Sequence, residues 1–448
     1  MFRRALAKRA AAGNPIRVGL VGAGRMGTGV VNQISTMEGM EVLAIADLMT
    51  DRAVQAFIGS GNPAEQVIEV HAEGHAVDAI RKGRRVATAD ANLISRLPVD
   101  AIVEATGVPE VGAKVAYEAI LHQKHIVMLN VEADVVVGPI LKRLADTAGV
   151  IYTLAAGDQP GAICEMAEWA WGLGLRIVVA GRGTLMSPRE RFATPDDNRE
   201  RAEALGLNPQ MYNSFRDGTK AQTEMVAVAN ALRLAPDLRG MHEPVVDVEG
   251  LARVFRLKDQ GGILGREGIV DLANGTQTDG RLQPHSRVFP GVFLVVTSDH
   301  PKVVEDLAYV NDPTLLLPAD IRHGPNFALF RPFHWCSVET PNSVAQAVLR
   351  WEPTGGPEGA PVAELIACAK QDLKAGEVLD GGGGYTVYGL IEKANVARTE
   401  GLFPFGFAYE ARLTEAVKKG EAIRWNQVQI PQDSFLLKLY QFQQATFA

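Results

Sequence analysis

Val18-Gly19-Leu20-Val21-Gly22-Ala23-Gly24-Arg25-Met26-Gly27 decides the fold of this chain. A short apolar run ends in G-x-G-x-x-G, and Asp47 follows twenty residues after the last glycine, closing a second run, Val42-Leu43-Ala44-Ile45-Ala46. Strand, glycine turn, helix, strand and acid in that order form the fingerprint of a dinucleotide-binding βαβ unit. Gly22 permits the sharp turn, Gly24 lets a pyrophosphate approach the main chain, and Gly27 lets the helix lie close to the strand. The free N–H groups at the helix start, with Arg25 and Met26 beside them, then face the diphosphate. Asp47 at the end of the second strand suits a ribose 2′-hydroxyl, which favours NAD(H). Arg25 and Arg52 suit a 2′-phosphate, which favours NADP(H).

The rhythm of the fingerprint continues outward. Apolar runs at Arg17–Val21, Val42–Ala46, Ala101–Glu104, Ile126–Leu129 and Ile151–Ala155 alternate with helical patterns such as Val111–Gln123 and Gly138–Thr147. This is the pattern of a Rossmann-type, doubly wound parallel sheet, an α/β domain expected over residues 14–156. From about Gly157 helical stretches (Ile163–Trp171, Ala221–Leu232) mix with strand-like ones (Arg176–Ala180, Val292–Thr297). Residues 157–352 are therefore expected to form an α+β substrate or catalytic domain, with 343–352 returning to the first. Pro353–Gly359 has the composition of a linker. Residues 360–448 are expected to form a small β-rich C-terminal domain. It contains a faint repeat, Ala369–Leu379 against Thr414–Ile423, and a run Gly381–Gly384 expected to be a mobile loop.

Bulk properties exclude several classes. At 448 residues the chain is too long for a single core. Its net charge of −7 argues against a nucleic-acid or anionic-membrane partner, and no apolar run reaches membrane-spanning length. The cysteines, Cys164, Cys336 and Cys368, are odd in number and unpaired in spacing, which suits the cytoplasm. Arg3, Arg4, Lys8 and Arg9 among alanines read as a short solvated helix, with a transit peptide as the alternative.

Several phrases carry a family resemblance. The opening motif, Glu104-Ala105-Thr106-Gly107 and His125–Asp134 resemble homoserine-dehydrogenase-like proteins. Gly157-Asp158-Gln159-Pro160, Asn208–Phe215, Asp217–Lys220 and Gly384–Val387 resemble, more specifically, the deoxyxylulose-5-phosphate-reductoisomerase-like (DRL) oxidoreductases. That group joins a homoserine-dehydrogenase-like core to a C-terminal SAF-type domain. The resemblance implies NADPH as the favoured cofactor, with Ala105, Thr106, Gly107 and Asn130 beside it. It also implies conversion of 1-deoxy-D-xylulose 5-phosphate to 2-C-methyl-D-erythritol 4-phosphate, a step of isoprenoid precursor synthesis. The chain lacks the G-x-T-G motif of the standard reductoisomerases, so that activity would be convergent. Val131 stands where the homoserine enzymes carry lysine, which argues against homoserine itself. A homoserine- or sugar-acid-type dehydrogenase is the alternative, and a non-catalytic dinucleotide-dependent sensor another. A small-molecule substrate and a homodimer or homotetramer are expected.

Lys220 is the first candidate for catalysis. Asp217 and Glu224 lie three and four residues away on a presumed helix, so a lysine bracketed by two carboxylates would take up charge on a carbonyl oxygen. The alternative is an exposed ion-pair network worth little. Glu132 and Asp158 follow strand ends, where they would meet substrate; helix-cap chemistry would equally account for Glu132. With Glu165 these carboxylates supply oxygens enough for Mg or Mn, although no spacing is diagnostic and the metal ligands stay unassigned. His334 with Arg331 is a candidate phosphate or hydroxyl contact, against a packing histidine.

Overall fold

The computed structural model describes residues 2–186, 188–277, 281, 287–310 and 325–447. The chain packs as two compact units, each built from non-consecutive segments. Unit 1 comprises Met1–Gly161, Trp335–Gly359 and Ser434–Ala448; unit 2 comprises Ala162–His334 and Ala360–Asp433.

Unit 1 is a seven-stranded parallel sheet made of β1 (Ile16–Val21), β2 (Met40–Ala46), β3 (Val67–Glu69), β4 (Arg85–Thr88), β5 (Ala101–Glu104), β6 (His125–Met128) and β7 (Tyr152–Leu154). Their order is β3-β4-β2-β1-β5-β6-β7. The doubly wound sheet expected from sequence is therefore present, with β3 and β4 in addition to the five runs read from it. Helices α1 (Arg3–Ala11), α2 (Arg25–Ser35), α3 (Thr50–Gly59), α4 (Glu73–Arg81), α5 (Ala91–Arg96), α6 (Pro109–Leu121) and α7 (Val131–Ala148) connect or precede the strands. The order reverses at β1, which pairs with β2 on one side and β5 on the other, so a crevice opens outside their carboxyl ends. Val30, Val31 and Ile34 of α2 bury against Val18, Leu20, Ile45 and Val103, joined by Val344 and Ala345 of the helix Thr340–Arg350. Each such side chain contributes roughly 1.5–3 kcal/mol.

The helical pattern at Gly138–Thr147 begins earlier than expected, at Val131. Asn130 caps it, its Oδ1 accepting the Ala133 N–H at 3.1 Å, and Pro139 sits inside it. A proline there removes a hydrogen bond and pushes the preceding turn apart. The carboxamide of Gln443 fills the gap: Nε2 donates to the Val136 carbonyl at 3.0 Å, and Oε1 accepts the Ile140 N–H at 3.1 Å. Gln443 lies on the helix Phe435–Thr446. The Glu110 carboxylate holds the start of that helix, accepting from the Phe435 and Leu436 N–H groups and the Ser434 hydroxyl at 2.7–3.0 Å. A negative charge at a helix N-terminus is favourable.

Unit 2 contains a five-stranded mixed sheet of β8 (Arg176–Thr184), β9 (Ala235–Pro236), β10 (Ile269–Asn274), β11 (Val292–Thr297) and β12 (Phe327–Arg331), in the order β12-β11-β8-β10-β9. Helix α8 (Gln159–Gly172) leads into β8; after β8 come α9 (Arg199–Ala204), α10 (Pro209–Arg216) and α11 (Thr219–Leu232). Further strands follow: β13 (Ala363–Ala369) pairs with β15 (Val387–Lys393), and β14 (Val378–Asp380) with β16 (Tyr409–Leu413), which pairs with β17 (Val428–Gln429). Helix α11 packs on β10, β13 and β15, and all its residues except Lys220 are buried. Its polar side chains survive there because each is paired. Gln222 Oε1 accepts the Ile391 N–H at 2.9 Å, and Asn230 Oδ1 accepts those of Val362 and Ala363 at 2.9 and 3.1 Å.

The internal repeat forms two equivalent turns. In Lys374–Glu377 and Lys418–Glu421 the glutamate accepts the N–H of the lysine three residues before it, and Gly376 and Gly420 adopt positive φ. The two copies exchange backbone bonds at Leu373 and Val417. Cys164, Cys336 and Cys368 form no disulfide among the described residues, and no helix among those residues is long and apolar enough to cross a membrane.

Candidate active site

In unit 1 the glycines perform the separate tasks their spacing requires. Gly22 turns at φ +96°, and a Cβ there would lie 2.8 Å from the Ala105 backbone; a Cβ on Gly27 would collide with the Gly22 carbonyl. A Cβ on Gly24, by contrast, would meet nothing within 4 Å. Gly24 precedes α2, whose first-turn N–H groups and dipole end make an anion site. The turn is thus tight where protein packs on it and open where a diphosphate would approach, so these residues fit a dinucleotide. Arg25 and Met26 are exposed at the helix start.

Asp47 is engaged on both oxygens: Oδ2 accepts the Ala23 N–H at 2.8 Å and Oδ1 the Met49 N–H at 2.9 Å. It braces the glycine turn. Arg52 is exposed on α3, and neither its guanidinium nor that of Arg25 is held by another described residue. Ala105, Thr106 and Gly107 form the loop after β5. Asn130 differs from the expectation: it is fully buried, and its Nδ2 donates to the Val108 carbonyl at 3.1 Å and Thr106 Oγ1 at 3.3 Å. It ties the loop to α7 rather than presenting an amide to a ligand. Glu132 is half-buried in the first turn of α7. Asp158 is buried, its Oδ1 accepting from Cys336 Sγ at 3.3 Å.

Two carboxyls in unit 1 are more deeply enclosed than their sequence positions indicate. Glu104 and Asp134 are buried, and burial pushes each up to about 7. The Tyr152 hydroxyl donates to Asp134 Oδ1 at 2.8 Å. Glu104 was visible in its motif, but nothing local marked it as wholly enclosed.

In unit 2 the expected bracket around Lys220 is made on one side. Gly218 takes φ +84° ahead of α11, so the helical spacing does not extend back to Asp217. Asp217 instead caps the helix, Oδ1 accepting the Thr219 N–H at 2.8 Å, and Lys370 Nζ stands 2.7 Å from its Oδ2. Both members of this pair are inaccessible to solvent. Burial raises the Asp217 carboxyl while Lys370 and the Thr219 amide pull it down. Lys370 also donates to the Ala193 and Gly384 carbonyls at 2.9 and 2.7 Å.

The Gly381–Gly384 run, expected to be mobile, is held down. Asn213 Nδ2 donates to the Gly383 carbonyl at 2.8 Å, and Gln210 Nε2 to those of Asp380 and Gly382 at 3.1 and 3.2 Å. Much of the Asn208–Phe215, Asp217–Thr219 and Gly384–Val387 phrases is therefore scaffold. Lys220 is the exception. Its Nζ is 4.0 Å from Glu224 Oε1, and Glu224 Oε2 forms a buried ion pair with Arg182 of β8. A cation in the first turn of a helix opposes the dipole, so helix stability does not explain it.

His334 is half-buried after β12, and Arg331, its expected companion, is engaged on one side. Arg331 Nη1 pairs with Glu165 Oε2 at 3.0 Å and lies over the Phe333 ring at 5.0 Å. Among the described residues no group of three or more His, Cys, Asp or Glu is placed to hold a metal. The reason is visible in unit 2, where Glu165, Asp217 and Glu224 each face a cationic side chain. His242 was not anticipated. Its Nδ1 is 2.7 Å from Asp271 Oδ2 and its Nε2 3.4 Å from Asp237 Oδ2, which raises its pKa. Met241 and Glu243 beside it have positive φ, a strained backbone that sequence spacing does not reveal.

The family model described as the catalytic domain of oxidoreductase DRL matches residues 157–340. No curated protein matches the chain. Among solved structures, a putative myo-inositol dehydrogenase from Sinorhizobium meliloti is 14% identical, over 77% of this chain and 91% of that one, with a TM-score of 0.38. A probable dehydrogenase from Thermotoga maritima is 15% identical over 63% and 73%, with a TM-score of 0.33. Biliverdin reductase from Synechocystis, in complex with biliverdin and NADP+, is 16% identical over 39% and 48%, with a TM-score of 0.26. The chain thus spans about half the length of that reductase. Residues 157–340 thus match the catalytic domain of an oxidoreductase family, and unit 1 carries a parallel sheet with a dinucleotide-type glycine turn.

Proposed function

We propose that this chain is an NADPH-dependent oxidoreductase acting on a small polyhydroxylated, phosphorylated carbonyl compound, and that 1-deoxy-D-xylulose 5-phosphate is the substrate: its C3–C4 bond breaks and a C2–C4 bond forms, and NADPH reduces the resulting aldehyde to 2-C-methyl-D-erythritol 4-phosphate. The observation that carries the proposal is the match of residues 157–340 to the DRL catalytic domain, with Lys220 as the one residue of α11 left unburied within it. Hydride transfer to a carbonyl carbon leaves negative charge on its oxygen, and a lysine ammonium there stabilises the charge or supplies the proton. Glu224, fixed by Arg182, holds Lys220 in place. The nicotinamide cofactor supplies the hydride when bound. Arg25 and Arg52, exposed and not held by another described residue, support the choice of NADP(H) over NAD(H). A SAF-type role for the C-terminal strands and a dimeric or tetrameric assembly belong to the same proposal, the latter read by light scattering.

The test mixes purified protein with NADPH or NADH and 1-deoxy-D-xylulose 5-phosphate, with and without magnesium, and follows the absorbance of the reduced cofactor. Turnover on that compound is expected, falling about a hundredfold or more in Lys220→Ala and Lys220→Met. Silence on it, with turnover of an unphosphorylated acid or aldehyde, removes the substrate. Unchanged rates in both variants remove Lys220.

A further inference from the structure

Glu104 ends β5, beside the glycine turn, and its side chain is enclosed entirely by protein. Its Oε1 accepts the Thr106 N–H at 3.0 Å and also the Thr106 hydroxyl. Asn130 then bridges Thr106 Oγ1 and the Val108 carbonyl, and its own Oδ1 caps α7. One carboxylate therefore organises the whole loop 105–108. Its second oxygen, Oε2, has no hydrogen-bond partner among the described residues. Space for the group is provided by Gly112 of α6, where a Cβ would fall 3.0 Å from Glu104 Oε2 and 2.5 Å from Asn130 Nδ2.

A buried acid with an unpaired oxygen is a poor way to stabilise a fold, and among the described residues no cation acts on it. The ionisable groups that face it are Glu132 at the start of α7 and Tyr152 of β7, the latter bonded to Asp134. Desolvation raises the carboxyl to about 7 against the pull of Thr106 and Asn130, so its charge changes within the physiological range. A structural tie alone would be served as well by a glutamine.

We propose that Glu104 is a positioning residue of the dinucleotide site: it fixes Thr106 and Asn130 so that the loop 105–108 stands ready for the nicotinamide end of the cofactor, and its negative charge favours the oxidised, cationic ring over the reduced, neutral one. The proposal rests on unit 1 binding a nicotinamide dinucleotide. Protonation of Glu104 keeps the loop in place but removes the preference between redox forms.

The test is calorimetric titration of the full chain with NADP+ and with NADPH between pH 5.5 and 8.5, in wild type, Glu104→Gln and Glu104→Ala, with thermal melting to establish folding. The 2′-phosphate is common to both ligands, so its own titration cancels in the ratio of their dissociation constants. In wild type the ratio of NADPH to NADP+ dissociation constants is expected to rise about fivefold across that range. In Glu104→Gln the ratio is expected to be flat with pH, at the acid-side value. Glu104→Ala, which leaves the Thr106 N–H and hydroxyl without an acceptor, is expected to weaken both ligands about tenfold. A wild-type ratio that does not move, or a Glu104→Gln ratio that moves as the wild type does, overturns the role of Glu104 while leaving the dinucleotide site intact. Absence of binding by the wild type overturns the dinucleotide site and this proposal together.

Discussion

Replacing Asp134 by asparagine is expected to make the protein less stable in acid and more stable in base. Asp134 lies within α7, fully buried, with Oδ1 bonded to the Tyr152 hydroxyl at 2.8 Å and Oδ2 without a hydrogen-bond partner among the described residues. Burial lifts its carboxyl from 3.8 to about 7. The native state therefore keeps a proton that the unfolded chain releases near pH 4, so stability is fully present below that point and declines until pH 7. A displacement of about three pH units at 1.36 kcal/mol each amounts to about 4 kcal/mol. Asparagine carries no charge at any pH but buries an amide N–H in place of Oδ2, at a cost of about 1–2 kcal/mol. The variant is thus expected to lie about 0–1 kcal/mol below wild type at pH 4.5, where about 1 kcal/mol of the wild-type contribution is already lost, and about 2–3 kcal/mol above it at pH 8.5. Urea unfolding followed by circular dichroism and tryptophan fluorescence reads both ends. Glu104 titrates through the same window in both proteins and cancels in the comparison. A stability difference that stays constant from pH 4.5 to 8.5 would refute the reasoning.

Other substitutions test the remaining polar anchors. Lys370→Met strands the buried Asp217 carboxylate and is expected to cost about 3–5 kcal/mol, with Lys370→Met/Asp217→Asn recovering much of it; equal losses in the single and double variants would show that the pair itself does not matter. Gln443→Leu leaves the Val136 carbonyl and Ile140 N–H unpaired at the Pro139 break, and a loss of about 2–4 kcal/mol is expected in thermal or urea unfolding. Arg52→Ala is expected to weaken NADPH binding about tenfold while leaving NADH unchanged; equal weakening of both would remove Arg52 from the 2′-phosphate.

The strands of the first sheet were legible because parallel strands buried on both faces read as short unbroken apolar runs, as in Val42–Ala46 and Ala101–Glu104. β3 was not, since its three residues are only partly buried and carry little pattern. The start of α7 was hidden by Pro139, which locally signals a break; the repair comes from a residue 303 positions away from Ile140. Distance in sequence also explains the errors at the candidate site. Asp217 and Lys220 have helical spacing, but Gly218 stops the helix between them, and the true partner of Asp217 is Lys370, which reads locally as one more surface lysine. The dinucleotide turn was legible because its function requires its local geometry. The enclosure of Glu104, Asp134 and Asp217 depends on tertiary packing, and no window of sequence contains it.

The amide of Gln443 also sets an order of events. A ribosome releases all seven strands of the first sheet long before residue 443 leaves the exit tunnel, so the nascent unit can assemble its sheet early. Helix α7 must nevertheless wait, one turn short of its hydrogen bonds, while the whole of unit 2 is synthesised. The most distant segment of the chain is the one that seals the first unit, and a product stopped within unit 2 would carry an open helix beside its cofactor crevice.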